Sequence, residues 1–152
     1  MIATTASKGL YIEHDIKVGT YDIDFAGHVS NISYLRWLED MRLKLFDKYF
    51  PLQHFLAEQK SPVLAATNIQ YKRPIKLFER PQGLMWISKM GKASLTIAAE
   101  LYVQGELRTT VEHVGVFIDL NTGKAIRMPQ IIVDKFKEVS HHGEAGGTNG
   151  KA

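Results

Sequence analysis

Tyr21-Asp-Ile-Asp-Phe-Ala-Gly-His-Val-Ser-Asn-Ile-Ser-Tyr-Leu-Arg-Trp-Leu-Glu39 is where an irregular run of chain turns into a helix. Ser30 and Asn31 are good N-cap types. Beyond them Tyr34, Leu35, Leu38, Met41, Leu45 and Phe46 recur at three- and four-residue steps, while Arg36, Asp40 and Lys44 stand four apart on another face. The spacing predicts one long helix over 32–49. Immediately upstream lie two carboxylates, Asp22 and Asp24, together with His28. A helix N-terminus presents unpaired N–H groups and a positive dipole end, so it can polarise a carbonyl and hold the oxyanion formed when that carbonyl is attacked. A carboxylate a few residues upstream reaches the same spot, as nucleophile or general base in acyl transfer. An Asp before a helix also serves as a cap or turn former, and placement by itself does not separate the two roles.

On the N-terminal side, Leu10 to Val18 alternates apolar Ile12, Ile16 and Val18 with Glu13, Asp15 and Lys17, as a half-buried strand does. On the C-terminal side Pro51 limits the helix, and a short connection through His54 and Glu58 leads to Ser61-Pro62. Val63–Tyr71, Leu84–Met90, Ala93–Val103 and Leu107–Leu120 then read as successive strands of an antiparallel meander, separated by Arg80-Pro-Gln-Gly83, Gly91-Lys92 and Gln104-Gly105. Asn121-Thr-Gly-Lys124 is a further turn, and Pro129 opens a short final helix carrying Ile131, Ile132 and Phe136. The expected class is α+β: an antiparallel sheet of about five strands curled around one long central helix, in a single domain over 1–139. The tail 140–152 is small and polar and is expected to be disordered. A wrapped sheet leaves edge strands and part of the helix uncovered, which predicts pairing with further copies as a homodimer or homotetramer.

The chain has 152 residues and no cysteine, which excludes disulfides, thiolate metal sites and cysteine nucleophiles and suits a reducing compartment. We expect no metal. No long uncharged apolar run suggests a membrane span, no signal sequence is evident, and the expected location is the cytoplasm. A formal charge of +3 would favour an anionic ligand, but it reads first as ordinary surface charge. No arginine-rich run or zinc-finger spacing points to nucleic acid.

The Tyr21–Glu39 segment resembles the motif of the 4-hydroxybenzoyl-CoA thioesterase family of hotdog-fold proteins, in which Asp-x-Asp-x-x-Gly-x-Val leads into the central helix. It is also similar to the Gly-His-Val-Asn-Asn variant of acyl-CoA and acyl-ACP thioesterases. The resemblance continues through Asn68-Ile-Gln-Tyr-Lys-Arg-Pro-Ile75, Gly91-Lys-Ala-Ser-Leu-Thr96 and Val116-Phe-Ile-Asp-Leu-Asn-Thr-Gly-Lys124, covering roughly residues 10 to 138 in order. It implies a hotdog fold and hydrolysis of an acyl- or aroyl-CoA to free acid and CoA. Coenzyme A is then part of the substrate, and no cofactor is implied.

Carried over by residue, Asp24 matches the family's catalytic carboxylate, Gly27 the glycine that lets backbone approach substrate, and the N–H at or near Asn31 the group that polarises the thioester carbonyl. His28 aligns with the histidine of the Gly-His-Val-Asn-Asn variant, which the benzoyl-type enzymes lack; a half-buried histidine bonding backbone is the competing reading. Asp22 reads as structural, orienting the loop. Ser30 stands where the variant has asparagine, and Ser33 where the benzoyl-type enzymes have asparagine, so the holding of water or substrate differs here. For the phosphates of coenzyme A the candidates are Lys72, Arg73, Lys89 and Lys92, although each taken alone reads first as ordinary surface charge. Two other functions fit the same fold: an acyl-ACP thioesterase, and a non-catalytic acyl-CoA or acyl-ACP binding module. A hotdog hydratase fits poorly, because His28 follows Asp24 by four residues with no proline between, where hydratases have Asp-x-Asn-Pro-x-His.

Overall fold

The computed structural model describes residues 9–148. Six strands form one antiparallel sheet: β1 (Tyr11–Asp15), β2 (Lys60–Tyr71), β3 (Gln82–Met90), β4 (Ser94–Val103), β5 (Glu106–Asp119) and β6 (Ala125–Ile126). The helices are α1 (Asn31–Tyr49), α2 (Leu52–Ala57) and α3 (Gln130–Thr148). The strand order is β1-β3-β4-β5-β2, with β6 on β5. The sheet therefore departs from the simple meander expected. Only β3, β4 and β5 follow one another. The chain after β2 runs 72–81 across to the far side of the sheet, so that β2 pairs with β5 and β3 with β1. Turn residues mark where a strand ends but carry no record of which neighbour it joins, and this is why periodicity missed the order.

The helix begins at Asn31 with Ser30 as its N-cap, the Ser33 N–H donating to Ser30 Oγ at 3.4 Å. Its buried residues are Ser33, Tyr34, Trp37, Leu38, Met41, Leu45 and Phe46. Leu35, expected inside, is 43 % exposed and shares an outer stripe with Ile32 and Leu43. Opposite the helix, β4 buries every second residue, Leu95, Ile97, Ala99, Leu101 and Val103, the period of a sheet with one face on the core. Each fully covered Leu or Met on these faces contributes about 1.5–3 kcal/mol of transfer free energy. Close approach of α1 to the sheet depends on Gly83: a Cβ there would stand 2.6 Å from Met41 Cε.

Three elements were not anticipated in their observed form. The segment read as a connection through His54 contains α2, which buries Phe55 against Phe117. β2 starts at Lys60 and carries Pro62, tolerated because β2 is an edge strand. The final helix is 19 residues long. Of the tail 140–152 expected to be disordered, residues 140–148 continue α3, since extending a nucleated helix adds one hydrogen bond per residue fixed; residues 149–152 lie outside the described residues. Among the described residues no helix is long and apolar enough to cross a membrane.

Candidate active site

The site is built where the chain enters α1. Thr20–Asp22 forms a single 3-10 turn that buries the Asp22 carboxylate. Asp22 Oδ1 accepts from the Ser33 hydroxyl at 2.7 Å, Oδ2 accepts from the Gly19 N–H at 2.8 Å, and its carbonyl accepts from the Ser30 N–H at 2.7 Å. The bonds to Ser30 and Ser33 fasten the loop to the first turn of the helix, and the bond from Gly19 closes the 3-10 turn on itself. The structural role read for Asp22 from sequence therefore has its partners, and Ser33, which departs from the resembled motif, is one of them.

Ile23 and Val29 then pair as an isolated antiparallel bridge, closing a small loop over 24–28. The Asp24 N–H donates to the His28 carbonyl at 2.8 Å, and the Gly27 N–H to the Asp24 carbonyl at 3.0 Å. Gly27 takes φ 79°, the left-handed region that favours glycine, and a side chain added there would meet nothing within 4 Å. The Asp24 carboxylate is half-buried. Its Oδ1 accepts from the Ala26 N–H at 2.9 Å and the His28 N–H at 3.3 Å, which leaves Oδ2 without a protein donor among the described residues. One oxygen is fixed and the other is free to act.

Past the loop, the Ser33 and Tyr34 N–H groups both bond to the Ser30 carbonyl. The Asn31 and Ile32 N–H groups, first in the helix, have no partner among the described residues, and they stand at the positive end of α1, which the Asp24 loop enters. The Asn31 side-chain oxygen accepts from the Tyr71 hydroxyl, and the Tyr71 ring packs edge-on against Tyr34, centroids 4.9 Å apart. Tyr71 is 47 % exposed and belongs to this site. Burial raises its hydroxyl above the usual range. Nothing in the sequence pairs residues 31 and 71; the contact arises because β2 runs alongside α1.

His28 is half-buried, and its backbone makes an isolated bridge to Lys76. Its ring has no hydrogen-bond partner among the described residues. Lys76 was not singled out from sequence, although it follows Lys72-Arg-Pro-Ile75 directly. It lines a cavity of about 300 Å³ with Arg73, Pro74, Glu79 and Arg108. Arg108 holds Glu79 with both terminal nitrogens, at 3.2 and 2.9 Å, while Arg73 pairs with Glu106 at 2.6 Å. The Arg108 guanidinium keeps the Glu79 carboxyl below its ordinary value. Lys72 is exposed and has no carboxylate partner among the described residues.

The four cations proposed from sequence are not brought together. Lys72 and Arg73 follow Tyr71 and stand at the α1 N-terminal end. Lys89 and Lys92 flank the β3–β4 turn at the opposite end, where Ser94 pairs with Val116 and Val116 with Val63. Tyr71 and Leu101 both pair with Thr109, so the seven residues from Leu101 back to Ser94 separate the two groups by roughly 23 Å.

Residues 18–136 match the model of the Thioesterase-like superfamily. The chain is 25% identical over 130 residues, 84% of its length and 98% of the relative's, to the long-chain acyl-CoA thioesterase FadM of Escherichia coli (strain K12). Among solved structures it is similar to a DHNA-CoA thioesterase from Staphylococcus aureus, with a TM-score of 0.77 and 24% identity, covering 93% of this chain and 96% of that one. A 1,4-dihydroxy-2-naphthoyl-CoA thioesterase from Synechocystis gives a TM-score of 0.76 at 17% identity, covering 86% of this chain and 98% of that one. With the helix wrapped by its sheet and a carboxylate loop poised at the helix start, the chain belongs to the thioesterase-like superfamily and is a thioester hydrolase of hotdog fold.

Proposed function

We propose that the enzyme hydrolyses an acyl- or aroyl-CoA, with the thioester carbonyl held on the Asn31 and Ile32 N–H groups and Asp24 driving the attack. The observation that carries this reading is the pinned Asp24 carboxylate, one oxygen bonded by Ala26 and His28 and the other free, in the loop that leads directly into a helix whose first two N–H groups are unpaired. The N–H pair stabilises the oxyanion as the carbonyl becomes tetrahedral. The free Asp24 oxygen either takes a proton from the attacking water or attacks the carbonyl itself, to give an anhydride that water then opens. Collapse expels the CoA thiolate in both cases. Gly27 keeps the approach open, and His28 fixes the loop through its backbone. The relatives named above act on CoA thioesters according to their names, which supports coenzyme A as the carrier.

For the CoA phosphates we assign Lys72 and Lys76, with Arg73 adding charge while it holds Glu106. Lys89 and Lys92 reach a CoA bound here only if a second protomer supplies them, in keeping with the homodimer or homotetramer expected from the exposed edge of β2. The site needs no cofactor.

The test is thiol release from benzoyl, short-, medium- and long-chain acyl-CoAs by the wild type and by Asp24→Asn in parallel. Asp24→Asn is expected to lower kcat by about 10²–10⁴. Silence of the folded wild type on every acyl-CoA would transfer the reading to an acyl-ACP substrate or to a binding module.

A further inference from the structure

A second feature lies further along the same helix. α1, β2, β4 and β5 enclose a cavity of about 210 Å³ whose walls include Leu43, Phe46, Leu95, Ile97, Val63 and Phe117. Arg42 lines it, half-buried, with exposed Glu39 at its rim. Arg42 Nη1 lies 3.2 Å from Nε2 of His113, and His113 Nδ1 lies 2.9 Å from Thr67 Oγ1. An arginine only donates, so Nε2 is the accepting nitrogen and Nδ1 carries the proton given to Thr67. His113 is 0 % exposed, and burial together with the adjacent Arg42 lowers its pKa to about 4. It is therefore neutral near pH 7 and gives the guanidinium a dipole but no countercharge. Among the described residues no carboxylate lies within ion-pair distance of Arg42, although Glu39 at the rim offsets part of its desolvation through space. A partly desolvated cation in an apolar cavity, anchored by a neutral chain, is an incomplete arrangement.

The cavity lies on the side of α1 that faces β2, as the catalytic end does. Asn31 meets Tyr71 at one end of this pairing, and Arg42 reaches Thr67 through His113 further on. Asn31 and Arg42 are roughly 16 Å apart along the helix axis, and a helical side chain leaning toward the N-terminus shortens the span left for a ligand. We propose that this cavity takes the end of the acyl group remote from the thioester, and that Arg42 selects acyl groups bearing an acceptor oxygen there, a carboxylate above all. This rests on the thioesterase reading for its placement in catalysis, though not for the binding property itself. Apolar walls accept the chain, and the guanidinium gives its charge-assisted bond to the terminal oxygen. Arg42 is a specificity residue in this scheme and touches none of the reacting atoms.

Two measurements test it on the full-length protein. Calorimetric binding of octanoate and of octanol, to wild type, Arg42→Met and Arg42→Lys, reads the cavity without turnover. The wild type is expected to bind octanoate about tenfold more tightly than octanol; Arg42→Met loses this preference and Arg42→Lys keeps part of it. Turnover of ω-carboxyoctanoyl-CoA against octanoyl-CoA is expected to show a similar preference in kcat/KM, abolished in Arg42→Met. An octanoate preference that is absent in the wild type, or unchanged in Arg42→Met, overturns the proposal whatever the turnover. A turnover ratio untouched by Arg42→Met overturns the placement of the acyl end here. The predicted binding pattern in a protein that cleaves no acyl-CoA supports the cavity assignment and overturns the acyl-CoA hydrolysis reading instead.

Discussion

Asp22 and Asp24 stand two residues apart and face different surroundings. Asp22 is buried and spends both carboxylate oxygens on Ser33 and Gly19, whereas Asp24 keeps one oxygen free at a half-open surface. Asp22→Ala is expected to lower unfolding stability by about 1–3 kcal/mol, because it orphans a buried hydroxyl and an N–H. Asp24→Asn should leave the melting temperature near that of the wild type while activity falls, since the amide oxygen still accepts from Ala26 and His28. Paired urea melts and kinetics on the two variants separate a positioning role from a reacting one. His113 supplies a pH signature. Its folded pKa of about 4 lies below the unfolded value of 6.5, so the unfolded chain binds more protons between these values. The stabilisation is complete above about pH 6.5 and is lost as pH falls toward 4, amounting to about 2–3 kcal/mol at most. Urea midpoints measured across that window should fall less steeply in His113→Gln. His14 shifts in the same direction, mainly by burial, and remains as background in the variant. The Asp24 loop was legible in sequence because its residue types and spacing are local. His113 and Arg42 were not, because one alternating strand residue and one helix residue acquire meaning only through a contact 71 positions apart.

At the scale of elements, α1 was legible to within a residue at its start, since a cap followed by a 3.6-residue apolar repeat is a local signal. The strands were legible as segments and illegible as a sheet. The order β1-β3-β4-β5-β2 is set by where the 72–81 crossing lands, and that crossing carries Lys76 and Glu79 to the site. α3 outran its expected end because its last residues are small and polar, a composition that reads as tail. The first turn of α1 also carries the donors proposed for the oxyanion: Ser30 caps it while the Ser30 carbonyl takes the N–H groups of Ser33 and Tyr34, leaving those of Asn31 and Ile32 unpaired. Ser30→Ala is expected to cost about 0.5–1 kcal/mol. It should also lower kcat more than it raises KM, because a frayed first turn blurs the donors that matter most in the transition state. Equal changes in kcat and stability across a temperature series would instead mark the cap as structural alone.

Among the described residues, β2 leaves one long edge of the sheet unpaired. β2 bonds to β5 on one side, and along 64–71 most of its residues are exposed, Leu64 at 45 % and Tyr71 at 47 %. Beside it on α1 stand Ile32, Leu35 and Leu43, at 61, 43 and 50 %. A flat edge with apolar side chains next to an apolar helix stripe is a surface that water disfavours and a second strand satisfies. Antiparallel pairing of β2 with its copy would cover both stripes at once and bring the Val63 end of one protomer beside the Tyr71 end of the other. The β3–β4 turn with Lys89 and Lys92 lies toward that same Val63 end of the sheet. Sedimentation at micromolar concentration should therefore report a homo-oligomer. Leu64→Lys, which places a charge at the Val63 end of this exposed run, should shift the protein toward monomer with its melting transition still cooperative. If the sites are shared across this edge, activity falls in step with the monomer fraction and recovers as protein concentration is raised; activity that stays constant per chain through dissociation would show that each protomer is complete alone.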